Sequence, residues 1–443
     1  MAANWKLFLC LMIACIVFSA GCIEFKNPYD QLPPGEWRGV LYLDQQTTFR
    51  PGVERSQSPG DYKPGIQDNQ LPFNFEVRYT EDGEMHVLFI NGEDEHKVTD
   101  IKMGTDLSIA KDTVTMRFPG SDNYLKAIYA ENILQGFWVV PSRGNYQIPF
   151  EAHYGKNHRF ELPVNRDIEK VVNVDGQWSV TLSPGEESER PAIAEFQQQG
   201  EKLQGSFITN TGDYRYLEGV VEGDKIWLSG FDGVFAFLLG AVKGEDERLE
   251  GFFRSGRHYQ TAWTATQKDT VELKDPLAMS EFLQEQFSFT VSDAAGAEIT
   301  EKDHLGRPTL IYLTGTWCPN CRDASLLLKE LGEKHDIQII GLSFERYRDR
   351  EKALKMIDTY TSDLNLPYPI YLAGYFDKKE ATENLGLIEE IIAYPTVVFL
   401  KPDFTISGSY TGFSGPATSR YPELVQAFEE EIKKITAGEI STD

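Results

Sequence analysis

Two cysteines separated by two residues carry the strongest chemical signal in the sequence, within Trp317-Cys318-Pro319-Asn320-Cys321. They follow an apolar run, residues 309–313, that is typical of a buried strand, and they open a stretch whose apolar residues recur at helical spacing. The first cysteine is therefore predicted at a helix N-terminus, where unpaired N–H groups and the helix dipole favour a thiolate. Two cysteines this close can form a disulfide, with Cys318 attacking and Cys321 resolving, as thiol–disulfide exchange requires.

A cysteine pair can also be half of a zinc site or a purely structural disulfide. Structural zinc takes four ligands, usually from a second such pair or from two histidines, and the nearest downstream histidine, His335, lies in a loop-like stretch. A disulfide across two residues constrains the unfolded chain very little. We therefore expect redox chemistry at this pair, with no metal and no cofactor.

Length and charge restrict the class of protein. The chain has 443 residues, enough for about three domains, and 41% of them are hydrophobic, as in globular proteins. Its formal net charge is −25, and no cluster of lysine or arginine interrupts the acidic background. This charge excludes a basic face for nucleic acid.

Residues 1–21 are predicted to be a signal peptide. Lys6 precedes an apolar run, residues 7–18, that is too short for a stable membrane span and ends in small residues before Cys22. Small residues before a cysteine resemble the lipobox of bacterial lipoproteins, which implies cleavage before Cys22 and its lipidation; an ordinary secretory signal or an uncleaved anchor is the alternative. We expect a protein anchored at the periplasmic face or cell surface of a bacterial membrane, with residues 22–34 as a tether.

The remaining cysteines support an exchange function. Cys10 and Cys15 leave with the signal peptide, and Cys22 carries lipid, so Cys318 and Cys321 are the only thiols left in the exported part. An exported protein that keeps one closely spaced pair does not use disulfides as a scaffold. The pair is therefore expected to react.

From residue 35 to about 268 the pattern is almost entirely that of β-strands, with turn residues such as Asp82-Gly83 between alternating apolar runs. This half is internally repeated. The motif around Trp37 recurs around Trp178, 141 residues later, and two later motifs recur at offsets of 115 and 113 residues. The larger first offset indicates an insertion in the first copy, and the polar stretch 47–70 is where we expect it.

We predict an all-β N-terminal half made of two antiparallel barrels or sandwiches, residues 35–165 and 166–268. A Gly-x-Trp motif near each first strand resembles lipocalin- or avidin-like barrels. Barrels of this size hold one small ligand or are filled by their own side chains. We expect core tryptophans and solvated or incidental histidines without metal-ligand spacing: Trp37, Trp178, Trp227, Trp263, His86, His96, His153 and His158.

After a linker, residues 269–284, strands alternate with helices, which predicts an α/β domain over residues 285–443. The expected strands lie near residues 287–291, 309–313, 337–343, 369–372, 396–400 and 405–410, and the expected helices follow Cys321 and cover about 353–364 and 424–435. The order of these elements and their motifs resembles the thioredoxin superfamily, specifically its TlpA/ResA-like extracytoplasmic branch. The matching motifs span roughly residues 285–437: Phe287–Asp293, Gly296, Pro308–Leu313, Trp317–Cys321, Ile339–Ser343, Tyr394–Thr396 and Gly412.

The resemblance implies further site residues in this α/β thioredoxin-like domain. Pro395 would be a cis proline that faces the cysteines, because a cis X-Pro bond costs little and proline removes a backbone donor near the sulfurs. In the alternative, Pro395 is a trans proline that starts a strand. Trp317, Tyr394, Pro395 and Thr396 would bind the substrate, and Pro319 and Asn320 complete the motif.

The sequence departs from the family pattern at its acids. Many thioredoxins place a buried acid six residues before the first cysteine, where this chain has Tyr312, and the TlpA/ResA branch often places a glutamate where this chain has Ala324. A carboxylate near the cysteines can accept the proton of the resolving thiol. Asp323 and Glu383 are the candidates to replace it.

The leading hypothesis is a lipid-anchored thiol–disulfide oxidoreductase that reduces disulfides of exported proteins and takes electrons from an upstream dithiol donor. In the branch that this chain resembles, most members are reductants, and some act in c-type cytochrome maturation; the resemblance implies a similar task here. The alternative is a lipid-anchored binding protein whose β repeats bind a ligand or client. A peroxidase of the same superfamily fits less well, because no Pro/Thr-rich loop precedes Cys318.

Overall fold

The structure is a computed structural model that describes residues 31–43, 68–144, 146–164, 171–267 and 271–437. The predicted signal peptide, the lipidation site Cys22, most of the tether and most of the insertion lie outside the described residues. No helix within the described ranges has both the length and the apolar character that a membrane crossing needs.

The first sheet contains nine antiparallel strands whose two edge strands are consecutive in the chain. Its strands are β1 (Gly35–Tyr42), β2 (Gln70–Tyr79), β3 (Met85–Asn91), β4 (Asp94–Val98), β5 (Asp100–Asp106), β6 (Lys111–Arg117), β7 (Tyr124–Ala130), β8 (Ile133–Val140) and β9 (Tyr146–Tyr154). Their order is β4-β3-β2-β1-β9-β8-β7-β6-β5, so the first strand pairs with the last and the sheet curls into a half barrel. A 3₁₀ turn, Pro141–Arg143, joins β8 to β9.

The second sheet is a closed barrel. Its strands are β10 (Gly176–Leu182), β11 (Arg190–Gln199), β12 (Lys202–Thr209), β13 (Gly212–Asp213), β14 (Leu217–Glu222), β15 (Lys225–Phe231), β16 (Ala236–Lys243), β17 (Leu249–Ser255) and β18 (Tyr259–Thr266). Strand β11 pairs with both β10 and β12, and β10 pairs with β18, so the ring of hydrogen bonds has no free edge. The predicted all-β half is therefore confirmed.

The two sheets repeat one local arrangement at their first strands. Trp37 in β1 and Trp178 in β10 are both buried, and each follows closely after a glycine with positive φ, +122° and +100°. Each indole N–H donates to the carbonyl four residues earlier, Trp37 to Pro33 at 3.4 Å and Trp178 to Val174 at 2.8 Å. In each sheet this strand also pairs with the last strand of the sheet.

Aromatic side chains fill the interiors of both sheets. Inside the second barrel, the rings of Phe207 and Trp263 meet edge to face with centroids 5.2 Å apart. In the first sheet, Phe73 and Phe89 are fully buried and contact Phe231, which comes from β15 of the second barrel. The two β units therefore share part of one hydrophobic core.

The third sheet and its helices form the predicted α/β unit. Its strands are β19 (Thr290–Ser292), β20 (Glu298–Thr300), β21 (Thr309–Thr314), β22 (Gln338–Glu345), β23 (Ile370–Tyr375), β24 (Thr396–Leu400) and β25 (Ile406–Thr411), and its helices are α1 (Pro319–Lys334), α2 (Arg350–Asp363), α3 (Lys378–Leu385) and α4 (Tyr421–Thr436). The strand order is β20-β19-β23-β22-β21-β24-β25, with β21 parallel to β22 and antiparallel to β24. This is a thioredoxin-like fold.

One predicted strand is shorter than expected. Phe287 and Phe289 are buried, but only Thr290–Ser292 belongs to β19. The N–H of Phe287 donates to the carbonyl of Phe404 at 2.9 Å, at the far side of the sheet from β19. The segment therefore pairs through its backbone at Gln286 with Thr405, beside β25, before it reaches β19, and the buried rings of Phe287 and Phe289 lie between these two points in the chain.

Candidate active site

The two cysteines lie where β21 ends and α1 begins. All six residues of β21 are buried, and the strand pairs with β22 on one side and β24 on the other. This pairing fixes the position of the strand end from which the cysteine segment starts. Cys318 is the N-cap of α1, Pro319 is its first residue, and a disulfide joins Cys318 to Cys321 with Cα atoms 5.2 Å apart. The N–H of Cys321 points at Sγ of Cys318 over 3.2 Å. The predicted position of the first cysteine at a helix N-terminus is confirmed.

The segment before β24 faces the first cysteine. The Tyr394–Pro395 peptide bond is cis, as predicted, and the carbonyl oxygen of Tyr394 lies 3.5 Å from Sγ of Cys318. The carbonyl of Pro395 accepts the N–H of Gly412 at 2.8 Å, and the hydroxyl of Thr396 donates to the backbone just before this segment. The side chains of Tyr394, Pro395 and Thr396 are buried, so their backbone is the part that lies against the sulfur.

Trp317 extends this face on the other side of Cys318. Its indole N–H donates to the carbonyl of Phe344 at 2.9 Å, which fixes the ring. The edges of Tyr394 and Phe376 meet this ring, with centroids 5.8 and 5.4 Å away. The remaining motif residue, Asn320, donates through its amide to the carbonyl of Phe413 at 3.0 Å.

Hydroxyl groups lie behind the disulfide, where many thioredoxins have an acid. Tyr312 donates to the carbonyl of Cys321, and Ser325 contacts both Tyr312 at 3.2 Å and Tyr360 at 2.9 Å. Tyr368 donates to the carbonyl of Ser325 at 3.0 Å. Burial raises the pKa of all three tyrosines, so they stay protonated and act as hydrogen-bond donors.

The two acids that the sequence offered as replacements are engaged elsewhere or exposed. A carboxylate oxygen of Asp323 lies 2.5 Å from Nη1 of Arg215, which belongs to the second barrel. The side chain of Glu383 is exposed on α3. The structure therefore does not place either acid in the hydroxyl network behind Cys321.

A buried acid that the sequence reasoning missed supports the loop before Cys318. Glu345 ends β22 and accepts from the N–H of Thr316 at 3.0 Å, from its hydroxyl at 2.7 Å, and from Ser343 at 2.5 Å. Burial raises the pKa of Glu345, while these hydrogen bonds oppose the rise. The sequence held a signal for this acid. The strand that became β22 was predicted as buried, and parallel neighbouring strands end at the same edge of a sheet, so an acid at the end of β22 comes close to the loop after β21.

The second barrel reaches the N-terminus of α1 through the chain between β12 and β14. Arg215 donates to the carbonyl of Pro319 at 3.3 Å and pairs with Asp323. The carboxylate of Asp213 accepts the N–H of Gly415, in the loop after β25. Burial raises the pKa of Asp213 to about 6, a rise that Asp323 supports and the N–H of Gly415 opposes.

Two glycines allow this close approach. A Cβ atom on Gly412 would lie 2.9 Å from the backbone carbonyl carbon of Thr211, and a Cβ on Gly212 would collide with the amide of Asn320. Gly412 also has a φ of +84°, which favours glycine. The second barrel therefore covers the side of the site formed by Asn320 and the loop after Gly412.

The histidines that the structure describes have surroundings that differ from one to another. His153 contacts Glu151 at 2.6 Å, whereas His96 is fully buried against Phe118 and neither ring nitrogen has a hydrogen-bond partner among the described residues. His96 is thus buried, whereas we expected a solvated or incidental histidine at this position. In the part of the chain that the structure describes, no group of three or more histidine, cysteine or acidic residues could hold a metal.

Comparison with known proteins agrees with this geometry. The model of the AhpC/TSA family matches residues 284–409. The thiol:disulfide interchange protein DsbE of Pseudomonas fluorescens biotype C is 28% identical over 114 residues, 26% of this chain and 57% of that protein. DsbE of Pseudomonas aeruginosa is 32% identical over 98 residues, 22% of this chain and 47% of that protein.

The chain spans about half the length of these curated relatives. Among solved structures, a DsbF homologue from Corynebacterium diphtheriae superposes with a TM-score of 0.27 and 16% identity, over 37% of this chain and 99% of that one. The family match covers the strand, helix and cysteine pair described above. The C-terminal region of this chain is therefore a thioredoxin-superfamily domain of the AhpC/TSA family.

Proposed function

We propose that this protein is an extracytoplasmic, lipid-anchored thiol–disulfide oxidoreductase that reduces disulfides of exported proteins. The observation that carries the proposal is the disulfide between Cys318 and Cys321 at the N-terminus of α1. The names of its relatives, thiol:disulfide interchange proteins, support it. The anchor and the location rest on the segment that ends at Cys22.

The exchange begins with the reduced pair. The thiolate of Cys318 attacks one sulfur of the substrate disulfide, the substrate S–S bond breaks, and the other substrate sulfur leaves as a thiolate that takes up a proton. Cys321, deprotonated, then attacks Sγ of Cys318 and releases the first substrate sulfur as a second thiolate. The substrate gains two electrons and two protons, and the enzyme disulfide forms. An upstream dithiol donor restores the pair.

The surroundings of Cys318 fit the first step. The helix N-terminus and the N–H of Cys321, 3.2 Å from the sulfur, stabilise negative charge on Cys318. Pro395 has no N–H, so no backbone donor from that residue competes for the sulfur. The neutral hydroxyls behind Cys321 are poor bases, and the leaving thiolates of the substrate are the proton acceptors that the reaction itself supplies.

The β units would hold the redox domain away from the membrane or recruit a client. Their interiors are filled by aromatic side chains such as Phe207 and Trp263, which favours this role over that of a ligand-binding barrel. An apolar ligand that co-purifies with residues 35–268 would instead support the binding-protein alternative.

A redox titration tests the proposal. Residues 23–443 are equilibrated with a series of dithiol/disulfide buffers, and the thiols are trapped and counted. A two-electron transition near thioredoxin's potential, about −270 mV, supports a reductase, and one near −120 mV indicates an oxidase. No reversible transition at Cys318 and Cys321 would exclude the oxidoreductase. Consumption of a hydroperoxide without added disulfide would point to the peroxidase alternative.

A further inference from the structure

The tip of the hairpin between β5 and β6 exposes two large aliphatic side chains. Leu107 is 87% exposed and Ile109 is 45% exposed, and every residue from 104 to 110 is exposed. The carboxylate of Asp106 accepts the N–H of Ser108 at 2.9 Å, which holds the turn in shape without covering either aliphatic side chain. Single exposed aliphatic residues are ordinary on protein surfaces. The position of this tip in the sheet therefore decides what it contacts.

Strand register places the tip at the end of the first sheet where the chain enters. From β1 across β9, β8, β7 and β6 to β5, neighbouring strands meet at this end through successive residue pairs: Trp37 with Tyr154, Ile133 with His153, Ala130 with Ile133, Asp112 with Tyr129, and Asp106 with Lys111. The start of β1 and the tip, residues 106–111, therefore lie at the same end of the sheet.

The last residues before β1 are fixed to this end by hydrogen bonds. The carbonyl of Leu32 accepts the hydroxyl of Tyr79 at 2.6 Å, and the carbonyl of Pro34 accepts the hydroxyl of Tyr154 at 3.1 Å. Leu32 is fully buried. The described part of the tether is thus part of the folded unit, and the chain leaves the sheet beside the tyrosines of this end.

A lipid on Cys22 would keep this end of the sheet near the bilayer. Cys22 precedes Gln31, the first described residue, by nine positions. Nine residues span at most about 30 Å when fully extended, and about 17 Å as a flexible coil. The thioredoxin-like domain contacts the opposite end of the sheet, where Arg117 and the N–H of Gly120 lie 3.0 and 2.8 Å from the carboxylate of Asp363. In an anchored chain the tip is therefore within reach of the bilayer, and the redox domain lies on the far side of the sheet.

We propose that the β5–β6 tip inserts Leu107 and Ile109 into the interfacial layer of the bilayer to which the chain is anchored. Burial of aliphatic surface among the acyl chains drives the insertion. Tyr154 is exposed and Tyr129 is half-buried at the same end, and tyrosine suits a bilayer interface because it combines an apolar ring with a polar hydroxyl. The inference rests on the proposed function, whose anchor brings the tip to the bilayer, and adds a second membrane contact that orients the molecule.

The charges at this end select a lipid surface with little charge. The turn between β2 and β3 contains Glu81, Asp82 and Glu84, and the turn between β7 and β8 contains Glu131, all of them exposed. Anionic headgroups repel these acids within a Debye length, about 8 Å at physiological salt. The partner is therefore a bilayer rich in zwitterionic lipid, and apolar burial holds the tip there without attraction between charges.

Hydrogen exchange on an anchored chain tests the insertion. Residues 22–443, with the pair Cys318 and Cys321 oxidised, are coupled through the thiol of Cys22 to a maleimide lipid in phosphatidylcholine vesicles. The comparison sample is the same chain coupled to maleimide–polyethylene glycol without vesicles. If the tip is inserted about nine-tenths of the time, amides of residues 105–111 should exchange about tenfold more slowly on the vesicles.

Variants identify the side chains responsible. A double variant, Leu107→Glu with Ile109→Glu, should abolish the slower exchange, because two carboxylates cannot enter the apolar layer without a large desolvation cost. Leu305→Glu is the matched control, since Leu305 is a 51% exposed leucine of the thioredoxin-like domain, and it should keep the wild-type difference. These residues are exposed, so the variants should fold as the wild type does.

The outcomes separate this inference from its rivals and from the proposed function. Equal exchange of residues 105–111 with and without vesicles would overturn it. Slow exchange without vesicles that increases with protein concentration would assign the tip to a second copy of the chain and would also overturn it. Replacing part of the phosphatidylcholine by phosphatidylglycerol should speed exchange again, and slower exchange would contradict the selection of a weakly charged surface.

None of these outcomes depends on natural lipidation or on redox activity. The maleimide bond replaces the lipid on Cys22, so the tip can be tested even if the cell does not lipidate this cysteine. The redox titration of Cys318 and Cys321 decides the oxidoreductase proposal separately. Failure of the tip to insert would therefore leave that proposal standing.

Discussion

Arg215 of the second barrel pairs with Asp323 of α1, two residues after Cys321, over 2.5 Å between Nη1 and Oδ2. The same guanidinium lies 3.1 Å from Asp94 of the first sheet and 3.9 Å from Asp232 of its own barrel. Arg215 is only 3% exposed. One buried cation thus joins carboxylates from the first sheet, the second barrel and α1, and it holds the second barrel against the helix that carries the cysteines.

Replacement of this cation should destabilise the protein strongly. In Arg215→Met, the carboxylates of Asp323 and Asp232 lose the cation that compensates them, and an unpaired buried charge costs about 3–5 kcal/mol. The measurement is urea unfolding followed by circular dichroism. Arg248→Met, at an exposed turn, is the control and should change the free energy of unfolding by less than about 0.5 kcal/mol.

The pair can be isolated by a double-mutant cycle. Asp323→Asn should cost less in an Arg215→Met background than in the wild type, because the partner charge is already absent. Equal costs in the two backgrounds would show that the pair contributes no coupling.

The stability of the fold should depend on pH through Asp213. Its pKa in the folded protein is about 6, raised mainly by burial, against about 4 for an unfolded aspartate. Between these values the folded state binds more protons than the unfolded state, so this group's contribution to stability is lost as pH rises from about 4 to 6. The loss should be about 2–3 kcal/mol relative to Asp213→Asn, which cannot titrate.

This difference is measured by unfolding both proteins in denaturant at several values between pH 4 and pH 7. Other carboxylates titrate in both proteins and cancel in the comparison. A difference in free energy of unfolding that stays constant over this range would contradict the raised pKa of Asp213.

The sequence predicted the parts of the site that depend on local pattern. The position of Cys318 at a helix N-terminus followed from the apolar run before it, and the cis bond at Pro395 followed from the family resemblance. Arg215 was not predicted, because it lies in an irregular segment of a barrel and its partners are distant in the chain. His96 likewise alternates with polar residues on a short strand, and only the packing of the first sheet shows that it is buried.

The contact of the second barrel with the loop after β25 can be tested at Gly412. Gly412→Ala forces alanine into a φ of +84° and places its Cβ 2.9 Å from the backbone of Thr211. Gly296→Ala imposes a similar φ of +90° with no atom within 4 Å, so it measures the backbone strain alone. We expect roughly 1 kcal/mol for Gly296→Ala and a further 1–2 kcal/mol for Gly412→Ala.

Hydrogen exchange locates this additional effect. In Gly412→Ala, amides of residues 211–215 and 413–415 should exchange faster, because the two segments must move apart, whereas Gly296→Ala should leave them as in the wild type. Equal exchange of these segments in both variants would mean that the barrel does not rest on Gly412.

The order of the two cysteines in exchange can be read from trapped intermediates. If Cys318 attacks and Cys321 resolves, Cys321→Ser cannot release the substrate and should accumulate a mixed disulfide through Cys318. Cys318→Ser should accumulate little, because Cys321 is fully buried and a substrate sulfur has no access to it, whereas Cys318 is 7% exposed. The reduced variants are mixed with an oxidised peptide and quenched with acid, and the mixed disulfide is detected by its mass in mass spectrometry. Equal trapping by both variants would contradict this order, and it would also mean that the disulfide region opens far enough to expose Cys321.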